Sequence, residues 1–180
     1  GVQSQFLPSE EETPGFGYTQ STYWFKANFR SSSSEKKRWF VTVEYPVLDQ
    51  VVFYKLRAGK IVDHLNSGDN LPFSERPIDH RYFIYELELD PGEVATVLIK
   101  VQSTTSLQVP VRVWAPSEFF QADQVVILMN GLYYGLMLIM VLYNLSIFLW
   151  LREDSYLSYV VFVGALGLLQ ASIAGFSFQY

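Results

Sequence analysis

Two tryptophans stand where strand alternation places them among cations and amides. Trp24 falls on the polar face of TYWFKANFR, together with Lys26, Asn28 and Arg30. Trp114 falls with Arg112 on LQVPVRVWA, and Lys100 lies on a neighbouring strand run. An exposed indole beside ammonium, guanidinium and amide groups suits stacking on a sugar ring, with hydrogen bonds to its hydroxyls. The competing expectation is structural: each indole covers a sheet edge, and Trp114, close to a long apolar run, packs near the loop that precedes it. Arg76 is either a ligand-facing cation or an anchor pairing with Asp69. Gly68-Asp69 and Arg76-Pro77 bracket one loop that something must hold, which favours the anchor.

Constellations for catalysis are thin. Both histidines, His64 and His80, sit beside turns, each preceded by an aspartate, Asp63 and Asp79. Adjacent strand residues point to opposite faces, so these pairs make poor metal ligands. Asp63, Asp69 and Asp79, with carbonyls of the Asn66–Asn70 turn, form a weak Ca²⁺ candidate; otherwise no metal or cofactor is expected. Glu86 and Glu88 share a strand face about 6.5 Å apart, a separation found in glycosidases. Their alternation with Leu87 and Leu89 marks a solvent-facing strand instead. Without cysteine, no disulfide or thiolate site forms. No catalytic residues are assigned and the chain is expected to be non-enzymatic.

The elements that must carry these residues read as strands. After an extended lead-in at 1–21, period-two alternation runs through TYWFKANFR, RWFVTVEY, RYFIYELELD and VATVLIKVQS. QVVFYKLR and KIVDHL flank Ala58-Gly59, a tight hairpin turn. Asp90-Pro91-Gly92 is a second turn. Pro110 inside the last run points to an edge strand or a bulge. Seven or so strands without a helical period between them predict an antiparallel sandwich over 22–118, most readily an all-β jelly roll.

A different composition follows. A linker at 119–124 leads into Val125–Leu151, which is free of charged side chains, and the loop 152–155 leads into a second uncharged run, 156–178. At about 1.5 Å per residue either run exceeds a hydrocarbon core about 30 Å thick. The expectation is a transmembrane α-helical hairpin. Gly131 and Gly135 in the first span, and Gly167, Ala171 and Gly175 in the second, are spaced for close helix packing. Asn130, Asn144 and Gln170 should face protein rather than lipid. Arg152 in the connecting loop leans towards a cytoplasmic loop and an outside strand domain. The mean hydropathy of +0.13 averages these two unlike halves. Most of the 13 Lys+Arg and 18 Asp+Glu lie before the spans, leaving that half mildly acidic, which argues against a nucleic-acid surface. The chain starts at Gly1 and ends at the second span, so both ends are expected to be cut from something longer.

Gly131-Leu132-Tyr133-Tyr134-Gly135, Tyr143-Asn144, the Arg152–Tyr156 loop, and Gly175 with Phe178-Gln179-Tyr180 resemble the opening of the membrane domain in bacterial seven-transmembrane receptors with diverse intracellular signalling modules. Tyr23-Trp24, Val43-Glu44-Tyr45-Pro46, Gly68-Asp69, Pro72-Phe73, Arg76-Pro77 and the Trp114 strand resemble that family's second extracytoplasmic sensor type. The resemblance implies a jelly roll similar to carbohydrate-binding modules and a multi-pass protein of the bacterial inner membrane, its β domain in the periplasm or outside. It also implies signalling to a cytoplasmic diguanylate cyclase or histidine kinase, the latter as in two-component systems. Implied partners are the bilayer, a small extracytoplasmic ligand such as a carbohydrate, and the remaining helices and output module; a homodimer stays open. The alternative is a membrane-anchored carbohydrate-binding or cell-envelope module with no signalling role.

Overall fold

The computed structural model describes residues 6–9, 11 and 13–175. Residues 176–178 of the expected second span, and Phe178-Gln179-Tyr180 of the resemblance, lie outside them. The chain divides into a strand unit reaching Pro116 and a helical unit from Ser117 onward.

The strand unit contains β1 (Gly15–Tyr18), β2 (Tyr23–Arg30), β3 (Lys37–Val43), β4 (Gln50–Arg57), β5 (Lys60–Ser67), β6 (Phe83–Leu89), β7 (Val94–Gln102), β8 (Ser106–Gln108) and β9 (Val111–Trp114). They form a four-stranded sheet in the order β2-β7-β4-β5, a three-stranded sheet β6-β3-β9 and a two-stranded ribbon β1-β8. Every ladder is antiparallel. Alternation decides which side of each strand is buried. Val51 and Phe53 of β4, Val97, Ile99 and Val101 of β7, Val41 and Val43 of β3, and Phe83, Tyr85 and Leu87 of β6 meet in one core. Phe53 and Tyr85 stack there with centroids 5.6 Å apart, joining the two larger sheets. Each such side chain, fully buried, contributes about 1.5–3 kcal/mol. The mostly-β sandwich is therefore as expected.

Details depart from the sequence reading. Part of the expected lead-in is strand: Gly15, Gly17 and Tyr18 of β1 pair with Gln108, Leu107 and Ser106. The run LQVPVRVWA breaks into β8 and β9, because Pro110 has no N–H to give a ladder and the Val109 amide donates instead to the Pro14 carbonyl. β9 is a sheet edge, as Pro110 suggested. The Ala58-Gly59 turn forms as read, with φ of 48° and 77°, the left-handed pair that a two-residue hairpin requires.

The helical unit holds α1 (Pro116–Leu151) and α2 (Asp154–Ile173), both long and apolar enough to cross a membrane. The segment 119–124, expected as a linker, is helical: Pro116 suits a first helical position and Glu118 lies in the first turn, where the helix dipole favours it. The loop expected at 152–155 shrinks to Arg152-Glu153, with Asp154 opening α2. Gly175 lies past the end of α2 with φ 79° and donates its N–H to the Ser172 carbonyl, so it terminates the helix. A Cβ at Gly167 would sit 3.4 Å from the Met137 methyl, so α1 and α2 approach there, whereas one at Gly131 or Gly135 would meet no described atom within 4 Å. Asn130 and Asn144 satisfy their amides on their own helix, donating to the carbonyls of Val126 and Met140.

Candidate ligand-binding face

Register carries Trp24, Lys26 and Asn28 onto the outer side of the four-stranded sheet. Trp24 pairs with Lys100 of β7, and Lys100 pairs in turn with Val52 of β4. One step along, Lys26, Leu98, Tyr54 and His64 line up across the sheet. The Trp24 indole is 46% exposed and stacks on the Tyr54 ring, centroids 5.9 Å apart and planes 24° from parallel. Tyr54 stacks in turn on His64 at 6.3 Å and 16°. Three flat groups thus form a row on one sheet face, with the partly exposed Trp24 indole at its end.

The same face runs into a polar cleft of about 560 Å³, lined by Gln20, Gln50, Asn66, Asn70 and Gln102 together with Asp49, Ser103 and Thr104. Lys100 joins the two, its Nζ donating to Gln50 Oε1 at 3.2 Å. Asp49 fixes the cleft floor. Its carboxylate accepts from the Thr104 N–H and hydroxyl, both at 2.8 Å, and from the Ser103 hydroxyl at 3.4 Å. Gly68 makes that position possible. With φ 150°, a Cβ there would overlap the Asp49 carbonyl oxygen and lie 2.8 Å from its carbon. Next to Gly68, Asp69 is pushed above the usual carboxylate range by burial and by nearby Asp49, against the pull of Arg76. A second shallow cleft, about 440 Å³, lies where Phe6, Leu7, Pro8 and Ser9 run beside Trp24, Lys26 and Asn28; Lys26 Nζ is 5.8 Å from the Phe6 ring centre.

Two family models match this chain: residues 1–115 fit the model described as 7TMR-DISM extracellular 2, and residues 127–180 the one described as 7TM diverse intracellular signalling. The chain belongs to the seven-transmembrane receptors with diverse intracellular signalling modules. No curated protein matches it. In this receptor the strand unit is the extracellular sensor domain and α1 and α2 lie in its membrane domain. Both matched domains are sensory or membrane-spanning rather than catalytic.

The receptor's sensor domain divides the sequence-derived candidates into three places. Trp24, Lys26, Asn28 and Lys100 come together on the four-stranded sheet. Trp114 and Arg112 do not join them, for β9 belongs to the other sheet. There the Trp114 Nε1–H donates to Glu44 Oε1 at 2.9 Å, Arg112 Nε lies 3.6 Å from Glu44 Oε2, and the guanidinium stands 5.9 Å from the indole. These contacts describe a strut. Arg76 is a third place. It donates through Nη1 to the His80 and Arg81 carbonyls, at 2.8 and 3.1 Å, and lies against the rings of Phe73 and Phe83. Through these bonds it holds the loop by backbone carbonyls, and burial lowers its pKa against the opposing pull of the Asp69 charge.

The Ca²⁺ candidate is not assembled. Asp63 accepts from the Tyr85 hydroxyl at 2.8 Å and from the His64 N–H, far along β5 from the Gly68-Asp69 turn. Among the described residues no group of three or more His, Asp or Glu is placed to hold a metal. Glu86 and Glu88 face solvent and meet Arg38 and Lys36 in ion pairs, Lys36 Nζ lying 2.6 Å from Glu88.

Three features of the face escaped the sequence reading: Tyr54, His64 and the amide-lined cleft. The sequence carried little signal for Tyr54, which alternates with Gln50, Val52 and Leu56 while Lys55 and Arg57 fall on the other side of QVVFYKLR; His64 alternates with Lys60 in KIVDHL.

Proposed function

We propose that the sensor domain binds a carbohydrate on the Trp24–Tyr54–His64 face and its adjoining cleft, and that binding drives signalling through the membrane helices. The observation that carries this reading is the stacked row of three rings beside five cleft amides. Aromatic faces accept the C–H face of a pyranose, and amides donate to and accept from its hydroxyls. The site residues are Trp24, Lys26, Asn28, Lys100, Tyr54 and His64. The sandwich is of the jelly-roll type seen in carbohydrate-binding modules, a view supported by the way β2, β3 and β4, and again β5, β6 and β7, alternate between sheets. The ligand must bind two receptor states unequally for any signal to pass.

The sensor faces the periplasm or exterior of a bacterial inner membrane, with Arg152 on the cytoplasmic side. The output is a diguanylate cyclase or a histidine kinase. The gene sequence beyond Tyr180 tests that output directly: further spans followed by either signature support it, and a stop codon overturns it in favour of an anchored binding module. For the face itself, the full chain in phosphatidylcholine nanodiscs is titrated calorimetrically with a panel of neutral and acidic oligosaccharides. Binding by at least one, lost in Trp24→Ala, is the expected result. No binding by any member overturns the reading.

A further inference from the structure

The four-stranded sheet carries a charge opposite to its surroundings. Its strands β2, β4, β5 and β7 contain Lys26, Arg30, Lys55, Arg57, Lys60 and Lys100 against one acid, Asp63. The chain as a whole is acidic, with a formal charge of −5. Alternation and pairing divide these groups between the two sides. Lys55 points inward and meets Glu93, 3.1 Å away, with both side chains only 9% exposed. Arg57 meets the same carboxylate at 2.6 Å. Asp63 is turned towards the Tyr85 hydroxyl of the opposite sheet. On the outer side, Lys26, Arg30 and Lys100 stand among Trp24, Asn28, Tyr54 and His64, and among the described residues of these strands no carboxylate stands between them. The acids on and next to the three-stranded sheet are engaged elsewhere, Glu86 and Glu88 by Arg38 and Lys36, and Glu44 by Arg112.

Two of the outer cations flank the exposed indole. Lys100 is the cross-strand partner of Trp24, and Lys26 follows Trp24 by two residues on the same face. Directly opposed residues hold their Cβ atoms about 5 Å apart, and diagonal ones about 7–8 Å, so both ammonium groups reach the rim of one ring stacked on Trp24. Lys100 is held over the cleft mouth by the Gln50 side-chain amide oxygen, with donors left for a ligand. A neutral sugar would leave these two ammonium groups without ionic partners beside an indole. An acidic ring would supply them.

We infer that the ligand is an anionic saccharide, its carboxylate or sulfate held between Lys100 and Lys26 while its ring stacks on Trp24. This rests on the carbohydrate reading above and narrows it to one chemical class. The paired cations give selectivity through charge-assisted hydrogen bonds, and they speed encounter at low salt.

The test uses the full chain in phosphatidylcholine nanodiscs and four probes: an oligogalacturonate, a sulfated dextran oligomer, neutral maltoheptaose, and poly-glutamate as an acid without a sugar ring. The expected result is that one of the two acidic saccharides binds at least about tenfold tighter than maltoheptaose and poly-glutamate, with the advantage shrinking as salt is raised. Which of the two binds separates carboxylate from sulfate. Lys100→Gln lowers that affinity about tenfold and flattens its salt dependence, whereas Lys100→Arg retains both. Circular dichroism melting of each variant checks that the sandwich is intact. Equal binding of maltoheptaose and the acidic oligomers overturns this inference and leaves the carbohydrate reading standing. Poly-glutamate binding as well as the acidic saccharides overturns it in favour of a general anion surface. Failure of all three saccharides, in a panel where another glycan binds, also overturns it, and failure of every glycan removes both.

Discussion

Trp24 and Tyr54 stack at 5.9 Å although a whole strand, β7, runs between their own strands. The contact therefore depends on sheet register across three strands and not on any local sequence pattern. It places an exposed indole on a ready-made support, so little side-chain freedom remains to be lost when a ligand stacks on it.

Replacing Trp24 with alanine should remove ligand affinity with little cost to the fold. The ring is nearly half exposed, and stability should change by no more than about 1 kcal/mol. Tyr54→Ala should weaken binding less, because it removes the support and leaves the platform. Calorimetric titration of both variants beside their thermal melts checks the order. Equal loss of binding and stability in both would argue that the row is structural.

Gly68→Ala should destabilise the sensor domain by about 2–4 kcal/mol, since the new methyl group overlaps the Asp49 backbone and φ 150° disfavours any side chain. Relief of that overlap moves Asp49, whose carboxylate holds Thr104 in the cleft wall. Urea unfolding followed by far-ultraviolet circular dichroism measures the first effect. An unchanged midpoint would contradict the close approach.

Glu93 sets an acid limit on stability. Burial alone would raise its carboxyl group, but hydrogen bonds from Arg57, the Asp90 amide and Lys55 outweigh it and hold the pKa at about 2, down from 4.5. A depressed carboxylate contributes fully above its unfolded value and loses that contribution as pH falls through its folded one. The stabilisation is thus complete above about pH 4.5 and fades towards pH 2. Glu93→Gln, which strands Lys55 in a nearly closed site, should cost about 3 kcal/mol near neutrality. The melting difference between wild type and variant should narrow as the pH drops below 4.5. A gap that stays constant down to pH 2 would contradict the assignment.

Within the helical unit, Gly167→Leu should weaken the association of α1 with α2, because the Met137 methyl already lies 3.4 Å from where the new Cβ would be. At Gly135 a Cβ would meet no described atom within 4 Å, so Gly135→Leu should leave the helix pair intact. Cysteine crosslinking yields between the two helices in nanodiscs compare them. Equal loss in both variants would show that Gly135 also faces α2.

Much of the sandwich could be read from alternation, because burial of one face imposes period two wherever a strand covers the core. The segments holding Phe25, Val41, Phe83 and Ile99 show it plainly. β1 escaped since Gly-Phe-Gly-Tyr packs little and one of its glycines, Gly17, has φ 63°. The proline of the final run signalled an edge but not the break into two strands, which depends on where Val109 finds an acceptor. For the candidate face, local pattern told which side chains leave the core but not which sheet they leave from. Trp24 and Trp114 look alike in sequence, yet one stands on the open four-stranded sheet and the other is tied to Glu44. Tyr54 and His64 join Trp24 only through strand order, and the cleft gathers Gln50, Asn66 and Gln102 from three strands with Gln20 and Asn70 from loops, a closeness no periodicity encodes.

Only Ala115 separates Trp114, the last residue of β9, from Pro116, the first of α1. A proline ring fixes its own φ and narrows the backbone choices of the residue before it. Of the few torsions in this passage, two are thus already restricted. The covalent passage from strand to helix is therefore a single residue with few free backbone torsions.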